Sequence, residues 1–224
     1  AAARSFERIV IKTGDQIVTT KLYFSAAMIA AAASFSTGAQ AESRFVTGTA
    51  SPLTASANLD FTVTIPKFVY VRIGTGTDRA NNTNVDNLVF TVPAANVGDG
   101  TSVAGTGGDL TGGQVTARVT GNNGTIAFSS TTAGALNNGA GDTISWSQMA
   151  VAVAANTSAT ALAHPTLVDG ATTSINLSPT SGTKVTNLDA RWTFSYLNQN
   201  IVAAGTYGGV NAQNGRVTYA VSMP

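Results

Sequence analysis

The chain has 224 residues, a net charge of +1, one histidine and no cysteine. That inventory excludes a disulfide framework, a thiolate zinc site and a cysteine nucleophile, and it leaves an imidazole-based metal site one histidine short of two. Charged residues make up only 10% of the chain and form no basic patch, so the electrostatic footprint of nucleic-acid binding is missing.

In chain order, the first stretch is "AAARSFERIVIKTGDQIVTT". Residues 1–17 read as a leader translated from a start placed too early, or as a disordered extension. Valine is encoded by GTG among other codons, which makes Val18 a candidate initiator, and Gly14-Asp15 can be encoded by a ribosome-binding sequence just upstream. Residues 18–41 read as a signal peptide: Lys21 supplies the positive charge, and Leu22 to Phe35 form an apolar run broken only by Ser25 and Ser34. Gly38 can end a helix, and Ala39-Gln40-Ala41 is a small-x-small cleavage site with Ala39 and Ala41 as its recognised positions. The run is shorter than the roughly 20 apolar residues a membrane span needs. Export through the periplasm to the cell surface or the medium follows as the expectation. The mature form is expected to have no membrane span and to begin at Glu42.

Residues 42–224 are long enough for one domain that buries about 70% of its unfolded surface without staples. They carry nine acidic and eight basic side chains, a net charge of −1, among abundant Thr, Ser, Asn, Gly and Ala. The hydrophobic period is two, the mark of half-buried strands. Leu53, Ala55, Ala57, Leu59, Phe61, Val63 and Ile65 alternate up to Pro66, and Val69, Val71 and Ile73 follow. Further runs are Leu88–Val92, Val115/Ala117/Val119, Ile126/Phe128, Ile144/Trp146 and Ile175/Leu177. Leu188, Ala190, Trp192, Phe194 and Tyr196 alternate strictly, and "RVTYAVSM" places Val217, Tyr219, Val221 and Met223 on one side. Gly121-Asn122-Asn123-Gly124 predicts a hairpin. Asn137-Asn138-Gly139 predicts a further turn, and Asn214-Gly215 a positive φ before the last strand. Residues 97–113 read as a Gly-rich loop, and 150–163 as a loop or short helical turn. The sum predicts an all-β, antiparallel, immunoglobulin-like β-sandwich of about 8–10 strands, preceded by a signal peptide. No fixed-period repeat points to a solenoid or propeller.

The catalytic inventory is thin. His164 lacks a nucleophile elbow and precedes Pro165, so it reads as a loop or packing residue rather than a catalytic one. Asp99 and Asp109 in the Gly-rich loop are the only calcium candidates, and two carboxylates fall short of the six to eight oxygens the ion takes. The glycines lack the lysine and helix of a phosphate-binding loop. Asp60, Asp142 and Asp189 occupy turn or polar-face positions rather than a glycosidase pair. The expectation is a protein that is not an enzyme and takes no cofactor or metal. The tyrosines and tryptophans read as core or rim residues, with a carbohydrate-stacking face as the alternative.

The alternating segment Leu53 to Ile65 at one end, with Gly205-Thr206-Tyr207 and Arg216 to Met223 at the other, resembles the layout of chaperone–usher pilin subunits and of secreted spore-coat-U-type domains. Three features depart from the pattern: the Met223-Pro224 ending, the longer body and the missing cysteine pair. The "RWTFSY" run, Arg191 to Tyr196, is also similar to cell-surface domains with W-x-L motifs, with Phe194 in the Leu position. The pilin resemblance implies an incomplete sandwich whose groove is filled by an N-terminal strand from the next subunit. Leu59, Phe61, Val63 and Ile65 would then be the inserted side chains, and Val217, Tyr219 and Val221 would line the strand bordering the groove. The implied role is a structural subunit of a surface filament, fimbria or coat. Its partners would be copies of itself or related subunits, with a periplasmic chaperone and an outer-membrane usher. The alternative is a monomeric secreted sandwich that binds glycans or a surface protein.

Overall fold

The computed structural model describes residues 42–180 and 182–224. The leader 1–17 and the signal region 18–41, including Ala39 and Ala41, lie outside the described residues. The chain divides into two units, of which the described parts are residues 42–63 and the body from Thr64 to Pro224. The described part of the first unit contains no strand, and the first strand among the described residues begins at Val69. The strand expected over residues 53–65 is therefore not formed, and its side chains lie open: Leu59 is 61% exposed, Phe61 83%, Val63 82% and Ile65 76%. Alternation makes a strand only where a sheet edge supplies the ladder.

The body is all-β. Its ladders are antiparallel, apart from an isolated parallel bridge between Ala161 and Asp189, and no α-helix occurs among the described residues. The first sheet is built on β11 (Thr186–Tyr196). On one side β11 pairs with β5 (Gln114–Gly121) and, further along, with β3 (Val103–Ala104). On its other side it pairs with β9 (Met149–Ala155), and β1 (Val69–Ile73) lies outside β5. The second sheet has the order β10 (Thr172–Leu177), β6 (Ile126–Thr132), β12 (Val217–Ser222). Two small ladders complete the set: β2 (Leu88–Val89) with β4 (Thr106–Gly107), and β7 (Leu136–Asn137) with β8 (Thr143–Ile144).

One core joins the two main sheets. Val115, Ala117 and Val119 of β5 and Leu188, Ala190, Trp192 and Phe194 of β11 pack with Ile126 and Phe128 of β6 and Leu177 of β10. At its centre the Phe128 and Trp192 rings stack with centroids 6.0 Å apart. Burying aromatic rings of this size contributes more per residue than any other apolar contact. A second cluster gathers Leu136, Ile144, Trp146, Leu167 and Tyr196, where the Trp146 indole N–H donates to the Gly134 carbonyl at 2.8 Å.

Three expectations need correction. The turn at residues 121–124 is not a hairpin but a corner between the sheets: Gly121 pairs with Val69 and Thr186 in the first sheet, while Ile126 pairs with Leu177 in the second. Turn chemistry specifies a reversal, not which sheet receives the next strand. Of residues 150–163, expected as loop or short helical turn, 150–155 belong to β9, because Val151 and Val153 alternate with alanines and find β11 as a partner. Asp189 is not a solubility position on a polar face. It is 3% exposed, covered by the loop that follows β9. The turn at Asn137-Asn138-Gly139 and the positive φ of Asn214, 59°, are as expected.

Asp189 shows why that loop stays in place. Its carboxylate accepts the backbone N–H of Thr157 at 2.9 Å, the N–H of Ser158 at 2.8 Å and the Ser158 hydroxyl at 2.9 Å, with the Thr157 hydroxyl as a further donor. Burial pushes the carboxyl up, but these donors outweigh it and hold it well below the ordinary aspartate range. A depressed folded-state pKa means that the contribution is present above about pH 4 and lost as pH falls below it. Asp189→Ala leaves several buried donors without an acceptor and is expected to cost about 3 kcal/mol of unfolding free energy, read as a lower urea midpoint at pH 7.

Candidate assembly edge

Val217, Tyr219 and Val221 share one face of β12 and are half-buried, while Thr218, Ala220 and Ser222 alternate with them and are exposed. The inward residues follow from the period of the strand. Strand β12 pairs only with β6, from Val217 opposite Thr132 to Ser222 opposite Ala127. Its other edge has no ladder partner among the described residues. Tyr219 and Val221 pack against the main core, and Val217 against the second cluster.

Tyr219 is the best-anchored residue of this strand. Its ring lies 6.0 Å from that of Phe128 and 5.6 Å from that of Trp192. Its hydroxyl is 2.7 Å from Nε2 of His164. Burial pushes the Tyr219 hydroxyl up and the His164 imidazole down, the latter to about 4. His164 is thus neutral at pH 7 and packed among aromatic rings, with no Ser or Thr hydroxyl hydrogen-bonded to it among the described residues.

The corner turn fixes both ends of this region. Asn122 accepts the Phe68 N–H at 2.9 Å and donates to the Pro66 carbonyl at 2.8 Å, which anchors the chain entering β1. The Asn123 side chain and the Lys67 ammonium both donate to the Pro224 carbonyl, at 2.6 and 2.7 Å, and the Asn123 N–H donates to the Met223 sulfur at 3.2 Å. The start of β1 and the end of β12 therefore meet at one corner, and the two strands are spatial neighbours. Ile65 stands just before that anchor and is exposed, as are Leu59, Phe61 and Val63 in the first unit.

The remaining candidates are structural in their contacts. Asp99 is held low by hydrogen bonds from Asn96, at 2.8 Å, and from the Thr101 N–H, at 2.7 Å. Asp109 accepts the Thr116 N–H at 2.8 Å. Among the described residues no three acidic or histidine side chains gather as a metal would require. Sequence reading missed a cleft of about 790 Å³ between residues 157–163 and the end of β10, with Leu177 and Leu188 among its lining. Its walls are Thr, Ser, Ala, Asn, Leu and Pro side chains without an ionisable group. The run of small residues in "NTSATALA" is the only trace of it in the sequence. Comparison with protein-family models, curated proteins and solved structures finds no match for this chain.

Tyr219→Phe removes the one side chain that hydrogen-bonds His164 among the described residues. The buried imidazole then lacks its partner, and the expected loss is about 1–2 kcal/mol at pH 7, measured by urea unfolding followed through tryptophan fluorescence.

Proposed function

We propose that this is an exported, non-enzymatic structural subunit of a surface filament or coat, assembled by β-strand addition. On this reading the body is an incomplete immunoglobulin-like sandwich. The alternating segment ending at Ile65 is the donor strand, and the edge of β12 in a second copy is its acceptor. The observation that carries the proposal is the exposure of Leu59, Phe61, Val63 and Ile65 together with β12, one edge of which has no ladder partner among the described residues.

Strand addition meets two needs together. Backbone groups of the edge gain ladder partners, and alternate side chains of the incoming strand fill apolar positions. Burying four such side chains contributes about 1.5–3 kcal/mol each, set against an association cost of about 4–15 kcal/mol. The ladder and the apolar row are both required for a stable joint. A periplasmic chaperone that lends a strand before assembly, and an outer-membrane usher, fit this chemistry as partners, because the free edge needs cover in transit.

Two experiments test the reading. Phe61→Asp places a charge in the joint, so filaments seen by electron microscopy are expected to disappear while the exported protein remains at normal level. Filaments of normal length in that variant contradict the proposal. Mature protein lacking residues 53–65 is expected to melt at a higher temperature on addition of a peptide of that sequence than on addition of one with Phe61 and Val63 replaced by Asp. Equal effects of the two peptides contradict it as well.

A further inference from the structure

Residues 161–169 cross from one sheet to the other. At one end Ala161 bridges Asp189, and the Leu162 carbonyl receives the Trp192 indole N–H at 2.8 Å. At the other the Thr166 carbonyl receives the Thr173 and Ser130 hydroxyls, and the Val168 carbonyl that of Thr132 at 2.5 Å. The crossing is held by both sheets, and His164 stands in its middle.

The imidazole ring is set edge-on to three aromatic rings. Centroid distances are 4.6 Å to Trp192, 5.5 Å to Phe194 and 5.5 Å to Tyr219. From β11 it faces Trp192 and Phe194, and from β12 it faces Tyr219. Of these only Tyr219 titrates, and no Asp, Glu, Lys or Arg hydrogen-bonds or ion-pairs with it among the described residues. The hydrogen bond of the ring among the described residues joins Nε2 and the Tyr219 hydroxyl at 2.7 Å.

We propose that His164 is a proton-operated catch on β12: neutral, it holds the Tyr219 hydroxyl and seats the strand, and protonated, it releases Tyr219 and loosens Val217–Ser222. The geometry dictates the direction. The hydrogen bond alone does not separate the two states, because the Tyr219 oxygen can accept from an imidazolium as well as donate to a neutral ring. The charge does: an imidazolium would lie among three aromatic rings without a counter-ion, a state that burial disfavours and that is relieved when the ring and β12 part. Burial lowers the folded-state value to about 4. A released imidazole titrates near its ordinary value of about 6.5. The loosened state therefore binds more protons throughout that window, and the seated state loses ground as pH falls, by up to about tenfold per pH unit. That acid would dismantle assemblies rests on the strand-addition reading; the loosening itself does not.

The test is hydrogen exchange of β12 amides in the unassembled mature chain between pH 6.5 and 4, corrected for intrinsic rates. Opening of β12 is expected to rise by about tenfold per pH unit in the middle of the window, while β10, the other edge of the same sheet, changes less. His164→Gln, which keeps a neutral hydrogen-bonding partner for Tyr219, is expected to flatten the β12 profile. Equal loosening of β10 and β12 in the unmodified chain, or an unchanged profile in His164→Gln, overturns the proposal. Should the variant fail to fold, an NMR titration of the native His164 ring decides: a midpoint near 4 supports the catch, and one near 6.5 overturns it. Because the exchange is read on unassembled chains, filaments missing at neutral pH would count against the assembly reading and not against the catch.

Discussion

A three-stranded sheet leaves two rows of backbone N–H and C=O groups without a ladder, and among the described residues those rows belong to β10 and β12. Natural sheets blunt such edges with lysine, proline, bulges or cover. The six residues of β12, Val-Thr-Tyr-Ala-Val-Ser, include neither a charge nor a proline. β9 and β10 are also free of charge. What distinguishes β12 is its apolar row, anchored to the core by Tyr219, together with the corner that brings the start of β1 to its end. On the proposed reading this edge is the acceptor, and the alternating segment Leu59 to Ile65 is the donor.

The rest of the body makes that edge available without collapsing onto it. β11 carries Trp192 and Phe194 into the core and buries Asp189 on its other face, where the carboxylate draws in the 157–158 loop. The crossing at residues 161–169 then ties the first sheet to the second through Leu162 and Thr166. Rigid elements thus hold Tyr219 from behind, through Trp192, Phe128 and His164. The other side of β12 has no ladder partner among the described residues.

Much of this was legible in the sequence because it rests on the two-residue period. β5, β6, β10, β11 and β12 follow the alternating runs, and the Asn-Gly turns fall where asparagine and glycine tolerate positive φ. What was not legible depends on tertiary pairing. The corner at residues 121–124 has the composition of a hairpin, and only long-range ladders decide that its two strands part. Asp189 reads as a surface carboxylate because its donors lie more than thirty residues away. β9 was hidden by its alanines, which carry little strand preference until β11 supplies a neighbour. The Val217, Tyr219 and Val221 face was visible from spacing alone, but the hydroxyl–imidazole contact with His164 was not, since it joins residues 55 positions apart.

The missing cysteines allow the joint to be trapped directly. Chains carrying Phe61→Cys or Val63→Cys, mixed with chains carrying Val217→Cys or Val221→Cys under mild oxidation, have no other thiol to react. The account predicts a mixed disulfide between donor and acceptor chains, with little from Thr62→Cys, which faces the other way. Cross-linking that is absent, or equally fast at position 62, would contradict it.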